Sequence, residues 1–415
     1  MIVSDIISLI LLSILLFWTI YNGSIIYVGI RSKRKSLLAK TETNTDNKSL
    51  PKFSIIVPTK NEEVVIMRCL NGLLNLDYPK EKMEIIIVDG ESVDSTGKIC
   101  SEFITKYPQV FSLINENKGA KGKPAALNLA ISRVTGEIVG VFDADSLPEK
   151  DVLKRVASYF GNQQIMAVQG RTISLNEKKN ILTRVVSAEE KAWFQALLTG
   201  REKLQLFVPL NGTCQFIRRN VLEEAGGWDE TSLTEDVELA VRLVEKNYLI
   251  KYAEDVVCGQ ETPNTLGDLV KQRVRWYRGY METAIKYGRL LNTLNRRTID
   301  AEVSLNGPFM MVVSLLSYIN WFFVALFLFQ STPILNLTGL VIALTAVSLV
   351  SVGIALTASE RPIKLQNLLW IPSIYVYWFI QIFIAGWAFL KLLFRRKRVW
   401  SKTVKKGFMT TNLPS

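Results

Sequence analysis

Two carboxylates stand one residue apart where an apolar run ends, in the segment IVGVFDADSLPEKD at 138–151. If the run is a strand, alternate side chains point the same way, so Asp143 and Asp145 would reach one point. Two hard oxygen ligands at one point suit a divalent cation such as Mg2+ or Mn2+. The segment is equally typical of a strand that ends in a turn, with Asp or Ser capping a helix that begins near Pro148. The residues alone leave both interpretations open.

Further acidic residues stand where predicted strands end or predicted helices begin. PTKNEE places Thr59 and Glu62 at a helix start, where an acidic residue is favourable whatever its function. VDGESVDST places Asp89 at a strand end, where it would accept hydrogen bonds from a ribose or a base, or serve only as a turn residue. In SLTEDVELAV, Glu235 and Asp236 precede a helix-like run. They indicate either helix capping or a general base.

The segment NKGAKGKPAALNLA at 117–130 combines glycines with lysines before a helix. Gly119 and Gly122 free the backbone, and Lys121 and Lys123 lie beside the coming helix N-terminus. Such an arrangement favours phosphate. The spacing is not that of a Walker A loop, and a solvated lysine pair is the alternative.

The strongest single motif is QRVRWYRG at 272–279. On a helix Gln272, Arg275 and Trp276 fall at i, i+3 and i+4, so they share one face. A guanidinium grips phosphate oxygens in a fork, and an indole offers a flat apolar surface to a sugar ring. The same residue types are typical of a helix at the level of lipid headgroups, and both interpretations can hold together.

The elements that must position these residues alternate along the first half of the chain. Continuous β-branched runs separated by helices predict a mostly parallel sheet covered on both faces, and ligands of such sheets bind beyond the carboxyl ends of the strands. Asp89 and the Asp143/Asp145 pair stand at such ends. The predicted strands are 53–58, 83–90, 111–115 and 138–145, and the predicted helices lie near 62–75, 94–107, 123–134 and 149–160.

Composition narrows the chemistry. Histidine is absent, which excludes a histidine base and a histidine-ligated zinc site, so acid–base work falls to carboxylates. The four cysteines show no CxxC spacing and are expected to be reduced packing residues: Cys69, Cys100, Cys214 and Cys258.

Four apolar segments are long enough to cross a bilayer core of roughly 30 Å. They predict a membrane protein, and the basic run RSKRK after the first of them places the chain from residue 31 onward in the cytoplasm. The segments are 6–30, 307–330, 334–358 and 368–394.

The net charge of +12 comes from two short runs beside these segments. Residues 31–40 carry five Lys or Arg and residues 395–406 carry seven, with no acidic residue in either run. Basic clusters beside membrane segments favour anionic lipid headgroups, whereas a nucleic-acid site would spread its cations over a folded face. We therefore expect membrane lipids as partners and no nucleic acid.

In this order and spacing, VDGESVDST, KGKPAALN, FDADS, TED and QRVRW resemble the family-2 inverting glycosyltransferases. Within that family the chain looks like the membrane-embedded branch of cellulose, chitin, hyaluronan and poly-N-acetylglucosamine synthases. The resemblance covers residues 53 to about 300 closely, and extends loosely to the tail VWSKTVKKGF, which is similar to a cytoplasmic gating segment. DGES stands where many relatives carry a second acid, so the contacts around Asp89 follow less directly.

The resemblance implies an α/β GT-A (Rossmann-like) domain with flanking transmembrane helices, and it implies a role for each motif. The base and ribose would face Thr59, Glu62 and Asp89, and the diphosphate would face Lys123, Gln272 and Arg275. Mg2+ or Mn2+ would be held by Asp143 and Asp145, and the catalytic base would be Asp236. The acceptor side would include Gly212 and Thr213 (in LNGTCQFIRR), Glu235, Gln272 and Trp276.

These roles together imply one in-line displacement with inversion. A carboxylate takes a proton from an acceptor hydroxyl, and cations stabilise the departing nucleoside diphosphate. The leading hypothesis is extension of a glycan chain from a nucleotide-sugar, by resemblance a UDP-sugar, at the cytoplasmic face of the cell membrane. The alternatives are transfer of one sugar to a lipid acceptor and an inactive sugar-binding subunit, with an oligomer or accessory subunits as further partners.

The expected organisation follows from these segments. Three crossings after a cytoplasmic domain would leave the basic tail outside, so we expect one apolar segment, that at 307–330, to be interfacial or re-entrant. The predicted units are an anchor at 1–30, a polar linker at 31–51, the GT-A domain at 52–300, a membrane region of two to three helices at 301–394 and the tail at 395–415.

Overall fold

The computed structural model describes residues 2–36, 50–116, 122–288, 295–327 and 371–398, together with 339, 340, 343, 347, 403 and 405–407. Gly119 and Lys121, and most of both the linker and the apolar segment at 334–358, lie outside the described residues. The strands are β1 Phe53–Thr59, β2 Met83–Asp89, β3 Phe111–Asn115, β4 Ile138–Val141, β5 Leu147–Pro148, β6 Ile165–Ser174, β7 Gln215–Arg218 and β8 Leu249–Gln260. The helices of the catalytic domain are α2 Ile66–Leu74, α3 Thr96–Lys106, α4 Lys123–Ile131, α5 Val152–Phe160, α6 Ile181–Ala192, α7 Thr199–Lys203, α8 Arg219–Glu224, α9 Glu235–Glu245, α10 Leu266–Tyr287 and α11 Arg296–Leu305. The apolar helices are α1 Ile2–Ser36, α12 Gly307–Phe327 and α13 Ile371–Leu393.

The domain is built on an eight-stranded mixed sheet in the order β3-β2-β1-β4-β7-β6-β8-β5. β1 pairs in parallel with β2 and β4, and β8 pairs in parallel with β6, whereas β7 runs antiparallel between β4 and β6. Two apolar cores, one on each face, bury the β-branched residues of the central strands, as expected for a sheet covered on both sides. The predicted α/β sheet is confirmed. β1, β2, β4 and β8 all end at one edge.

The strand before the paired carboxylates is shorter than predicted. β4 ends at Val141, and Asp143 and Asp145 lie in the turn that follows. The prediction that these carboxylates lie on a strand, whose alternation would orient both to one point, was therefore wrong. β4 ends here because the partner strand β7 spans only Gln215–Arg218 and its pairing stops at Val141.

Helix α1 packs against the catalytic domain as well as against α12. Near its end, Gly29 approaches the chain so closely that a Cβ there would overlap the carbonyl oxygen of Ala196, in the π-helical turn Trp193–Leu198 that joins α6 to α7. A Cβ on Gly200 would likewise overlap the carbonyl of Ile25. Farther along, Asn320 of α12 donates to Ser8 at 3.1 Å, so the two helices run antiparallel.

The close contact at Gly29 gives a stability prediction with a matched control on the same helix. Gly29→Ala is expected to lower the unfolding temperature in detergent, because overpacking costs about 1–3 kcal/mol. Gly23→Ala should leave it unchanged or raise it, because nothing lies within 4 Å of a Cβ at Gly23. Equal melting of both variants would contradict the packing of α1 on the domain.

Helix α13 lies along α10 for its whole length. Tyr377 near its start donates to Glu189 of α6 at 2.7 Å, and Gln381 accepts from Tyr277 of α10 at 2.8 Å. Just past its end, the carbonyl of Arg396 accepts from Arg278 of α10 at 2.6 Å. The opposite face is an exposed apolar stripe at helical spacing, comprising Val376, Phe379, Phe383, Trp387 and Leu390. In length and composition, α1 and α13 could each cross a membrane, and α12 with α11 would make a third, bent by 44°.

Candidate active site

The carboxyl edge of the sheet gathers polar side chains from distant parts of the chain. Thr59 and Asp89 end β1 and β2 and are register partners, so they lie side by side. Asp143 and Asp145 follow β4, and Glu261 follows β8. This edge is where the strand topology places a ligand site in a sheet of this kind.

The predicted nucleoside side of the site is buried and polar. The Asp89 carboxylate accepts from the hydroxyl and the backbone N–H of Ser92. The backbone N–H of Glu62 donates to the Thr96 hydroxyl at 2.7 Å, which ties the turn after β1 to α3. The buried hydroxyl of Thr59 has no hydrogen-bond partner within the described part of the chain.

Lys123 is the centre of the predicted catalytic residues. Its ammonium pairs with Asp143 Oδ1 at 2.6 Å and donates to the carbonyl of Gly212 at 2.7 Å. Gly212 adopts a φ of +72°, and a Cβ there would lie 3.0 Å from Asp236 Oδ2. Burial lowers the pKa of Lys123, but Asp143, Glu235 and Asp236 outweigh it and the net change is upward. A lysine at a helix start thus joins the DxD segment to the TED segment.

Asp236 has the pKa of a usable base. Burial and the neighbouring Glu235 raise the pKa of its carboxyl to about 7, against the opposing effects of Lys123 and Arg275. Its own backbone neighbour Val237 donates to Oδ1 at 2.9 Å, which fixes the carboxylate at the start of α9. A general base works best with a pKa near the working pH.

Asp143 and Asp145 each contact the ammonium of a lysine, Lys123 and Lys405 respectively. Asp145 is 3% exposed and accepts from Lys405 of the tail at 2.7 Å and from the backbone N–H of Glu261 at 2.8 Å. Burial lowers the pKa of the Lys405 ammonium, yet Asp145, Asp143 and Glu62 together raise it on balance. The ammonium of Lys405 therefore lies against Asp145, with Asp143 near enough to raise the pKa of Lys405.

Of the residues predicted in LNGTCQ and QRVRW, some contact the DxD and TED segments and others contact the tail or α10 itself. The Thr213 hydroxyl accepts from the backbone N–H of Asp143 at 3.1 Å, so LNGTCQ supports the DxD turn directly. Arg275 donates to the carbonyl of Leu233 at 3.1 Å and lies near Asp236. Gln272 instead faces the tail, where its amide donates to Thr403 at 3.4 Å. The guanidinium of Arg273 stacks on the indole of Trp276, with the guanidinium carbon 4.4 Å from the centroid of the indole ring.

Four further residues line this edge: Arg68 and Glu261, which no motif singled out, and Thr403 and Lys405 of the tail segment VWSKTVKKGF. The guanidinium of Arg68 pairs with Glu261 at 3.1 Å and donates to the carbonyl of Asp145 at 3.2 Å. Thr403 and Lys405 bring the tail to the site. Glu261 follows an apolar strand, the same signal that found Asp89. That strand, β8, lies in a region where the pattern was too irregular to predict it.

The chain is similar in sequence to a known protein family and to several known proteins. The family described as "Glycosyltransferase like family 2" matches residues 51–279. "Probable glycosyltransferase YdaM" of Bacillus subtilis is 36% identical over 61% of this chain and 60% of its own length. The "Beta-monoglucosyldiacylglycerol synthase" of Synechocystis is 36% identical over 59% of this chain and 50% of its own length. The chain thus spans only part of the length of these two relatives.

A third relative aligns with nearly the whole chain. The "Poly-beta-1,6-N-acetyl-D-glucosamine synthase" of Staphylococcus epidermidis is 26% identical over 92% of both chains. Among solved structures, the mannosyltransferase PcManGT of Pyrobaculum calidifontis, in complex with GDP-Man and Mn2+, superposes with a TM-score of 0.57 at 20% identity. That superposition covers 95% of this chain and 100% of PcManGT, and it shows a shared fold.

The GT-A-like fold that the motifs implied is confirmed, with a mixed sheet flanked by apolar helices. The family profile spans the DxD, TED and QxxRW segments. The chain therefore belongs to the family 2 glycosyltransferases, enzymes that transfer a sugar from a nucleotide-sugar donor.

Proposed function

We propose that the protein transfers a sugar, with inversion and with a divalent metal, from a nucleotide-sugar to a growing glycan chain. The observation that carries this proposal is the convergence of Lys123, Asp143 and Asp236 around Gly212. Asp236 takes the proton of an acceptor hydroxyl, and the resulting oxygen attacks the anomeric carbon as the bond to the diphosphate breaks. Lys123 and Arg275 stabilise the charge that develops on the leaving group.

The donor set fits a hard divalent cation. The side chain of Asp143 is 36% exposed, and its pairing with Lys123 is through Oδ1. We propose Asp143 and Asp145 as the residues that would hold Mg2+ or Mn2+, with diphosphate oxygens completing the shell. The ion would neutralise charge on the departing diphosphate. The PcManGT complex with Mn2+ supports this proposal by fold.

We also propose that the tail is a gating segment. In the arrangement described, Lys405 takes the place that a divalent cation would need beside Asp145, so the tail must move before the metal and donor bind together. Lys405→Gln is expected to lower the Mn2+ concentration for half-maximal activity by roughly tenfold, since a nearby unit charge opposes cation binding by more than ~1 kcal/mol.

The neighbouring lysine provides the control for that measurement. Lys406 contacts Glu261 through its backbone N–H, and its side chain is exposed. Lys406→Gln removes the same charge and should leave the Mn2+ requirement unchanged. A higher Mn2+ requirement in Lys405→Gln would contradict the gating role and would indicate that Lys405 binds the diphosphate.

The pKa of Asp236 predicts the pH dependence of the reaction. A base must be deprotonated, so kcat/KM should rise with pH and level off above about 7. Glu235→Gln should move this acid limb to lower pH, because the Glu235 carboxylate helps to raise the pKa of Asp236. Burial also raises the pKa of Glu190 to about 7, so Glu190→Gln is the control and should leave the limb in place. An acid limb that moved only in Glu190→Gln would contradict the role of Asp236.

The contacts of α13 support a topology for the membrane region. Tyr377 lies 16 residues before the end of α13 at Leu393, about 24 Å along the helix, and Arg396 follows that end. Both ends nevertheless contact the catalytic domain, whereas a helix that crossed a bilayer would carry one end away. We therefore propose α13, rather than the segment at 307–330, as the interfacial helix. The chain between α11 and the tail then crosses the membrane an even number of times, and the tail and domain share the cytoplasmic side.

A second acceptor class is supported by one comparison. The Synechocystis relative is named as a synthase of a glucosyl lipid, and it is 36% identical. Transfer of a single sugar to a lipid acceptor is therefore the alternative to polymer extension, which the poly-N-acetylglucosamine synthase relative supports over the greater length.

The experiment that separates these functions uses the detergent-purified chain with Mn2+ and a panel of UDP- and GDP-sugars. Nucleotide release with one sugar, abolished by chelator, is the expected result, and product size then distinguishes a polymer from a monoglycosylated lipid. Release from none of the donors, with lipid extract supplied, would overturn the proposal and favour a sugar-binding subunit.

A further inference from the structure

A basic cavity of about 550 Å³ lies beyond the end of α13, and two of its lining residues, Ser232 and Glu238, flank the TED segment. Its walls come from three parts of the chain: the loop before α9, the second half of α10 and the segment that follows α13. Six of its lining residues are cationic and three are acidic, and the cations are Arg278, Lys286, Arg395, Arg396, Lys397 and Arg398.

The acidic residues of this cavity are already neutralised. Lys286 pairs with Asp229 at 2.8 Å and with Glu238 at 2.9 Å. Glu282 pairs with Arg278 at 2.8 Å and with Arg398 at 3.1 Å. Their charges are therefore unavailable to the remaining cations.

Three cations are left without such compensation. The side chains of Arg395, Arg396 and Lys397 are exposed and form no ion pair within the described ranges of the chain. Cations at a helix C-terminus complement its dipole, but that dipole amounts to about half a charge. Three full charges exceed it several times over, so the excess is available to an anion.

The backbone of this segment is held in place, which makes the cavity a built site. Arg278 donates to the carbonyls of Arg396 and Lys397 at 2.6 and 3.3 Å, and Arg398 donates to the carbonyl of Thr231 at 3.3 Å. The two arginine side chains thus project from an anchored turn. Paired guanidinium groups bind phosphate oxygens in a fork.

The apolar surroundings identify where the phosphate comes from. The exposed stripe of α13 continues into Leu393 and Phe394, which are 60% and 68% exposed beside the cavity. Acyl chains would cover such a surface, and the cations at its end would then meet the headgroup level. A free phosphate ion would leave the stripe bare.

We propose that this cavity binds the phosphate of an anionic membrane lipid, held by Arg395, Arg396 and Lys397 while acyl chains of the bilayer cover the exposed apolar stripe of α13. The inference rests on the interfacial placement of α13 proposed above. It concerns lipid retention, which needs no sugar donor, so it can fail while the transferase assignment stands.

The test is lipid retention by the full-length protein. The protein is reconstituted in vesicles of phosphatidylcholine mixed with phosphatidylglycerol, extracted in mild detergent, washed, and analysed for bound lipid by mass spectrometry. Wild type is expected to retain phosphatidylglycerol in preference to phosphatidylcholine. Each cation near the surface contributes roughly fivefold to the binding of an anionic lipid. The double variant Arg395→Gln/Arg396→Gln should therefore lower the preference for phosphatidylglycerol by about 25-fold.

The matched control removes two charges from the other basic run, as Arg31→Gln/Arg34→Gln, and it should keep the preference. Equal loss in both double variants would overturn the proposal, because the effect would then be general surface charge. Displacement of phosphatidylglycerol by inorganic phosphate in the wash would also overturn it and would indicate a site for free phosphate. A melting curve equal to wild type for Arg395→Gln/Arg396→Gln excludes unfolding as the cause of the loss.

Discussion

Asp236→Asn is expected to lower kcat by about 10³-fold while leaving the KM for the nucleotide-sugar nearly unchanged. The amide keeps the shape and the hydrogen bond from the Val237 backbone N–H, but it cannot accept the acceptor proton. No histidine exists in the chain to take over the role. Nucleotide release, measured at saturating donor and acceptor, gives the ratio directly.

The control for this variant lies on the same helix. Glu245 ends α9 and is exposed, so Glu245→Gln removes a carboxylate at a distance from the site and should retain full activity. If Asp236→Asn kept more than about a tenth of wild-type turnover, the base would have to be another carboxylate, since general bases contribute at least ~10²-fold.

Lys123→Gln is expected to lower kcat/KM by about 10³-fold through loss of charge stabilisation at the leaving group. The change also removes the cation that restrains the pKa of Asp236. The acid limb of the pH profile should therefore move to higher pH in this variant, opposite to its movement in Glu235→Gln. The two directions, measured as kcat/KM against pH, identify Lys123 and Glu235 as opposing neighbours of one base.

An exposed lysine on α3 provides the control for this variant. Lys98 lies on α3 with its side chain 78% exposed, and Lys98→Gln should retain wild-type kcat/KM and an unmoved acid limb. A Lys123→Gln enzyme that lost activity without any movement of the limb would indicate that Lys123 serves donor binding only, and not the environment of Asp236.

The first half of the domain could be predicted from the sequence because its strands are continuous β-branched runs buried on both faces. β1, β2 and β3 appear within a residue or two of the predicted limits, and each following helix starts two to four residues late, except α4 at Lys123. Parallel pairing then dictates that Thr59 and Asp89 end side by side. In this region the local sequence pattern and the global topology agree, so the pattern of residues was enough to predict the strands and helices.

The rest of the site depends on contacts between residues far apart in sequence. β4 was predicted four residues too long, because nothing in IVGVFDAD reports where its antiparallel partner stops. Glu261 and Arg68 meet across 193 residues, and neither lies in a recognisable motif. The apolar residues of α13 predict a membrane span, and the sequence gives no sign of its contacts with α10, which support our proposal of an interfacial helix.

The contact between Asp145 and Lys405 has a consequence for how the enzyme is made. These residues are 260 positions apart, and α12 and α13 lie between them. The catalytic domain is synthesised first and can fold as a unit before the following helices are inserted. During that interval Asp145 has no tail lysine beside it. The contact that we propose to restrain metal binding is therefore acquired last in biogenesis, after the helices that precede the tail have been synthesised.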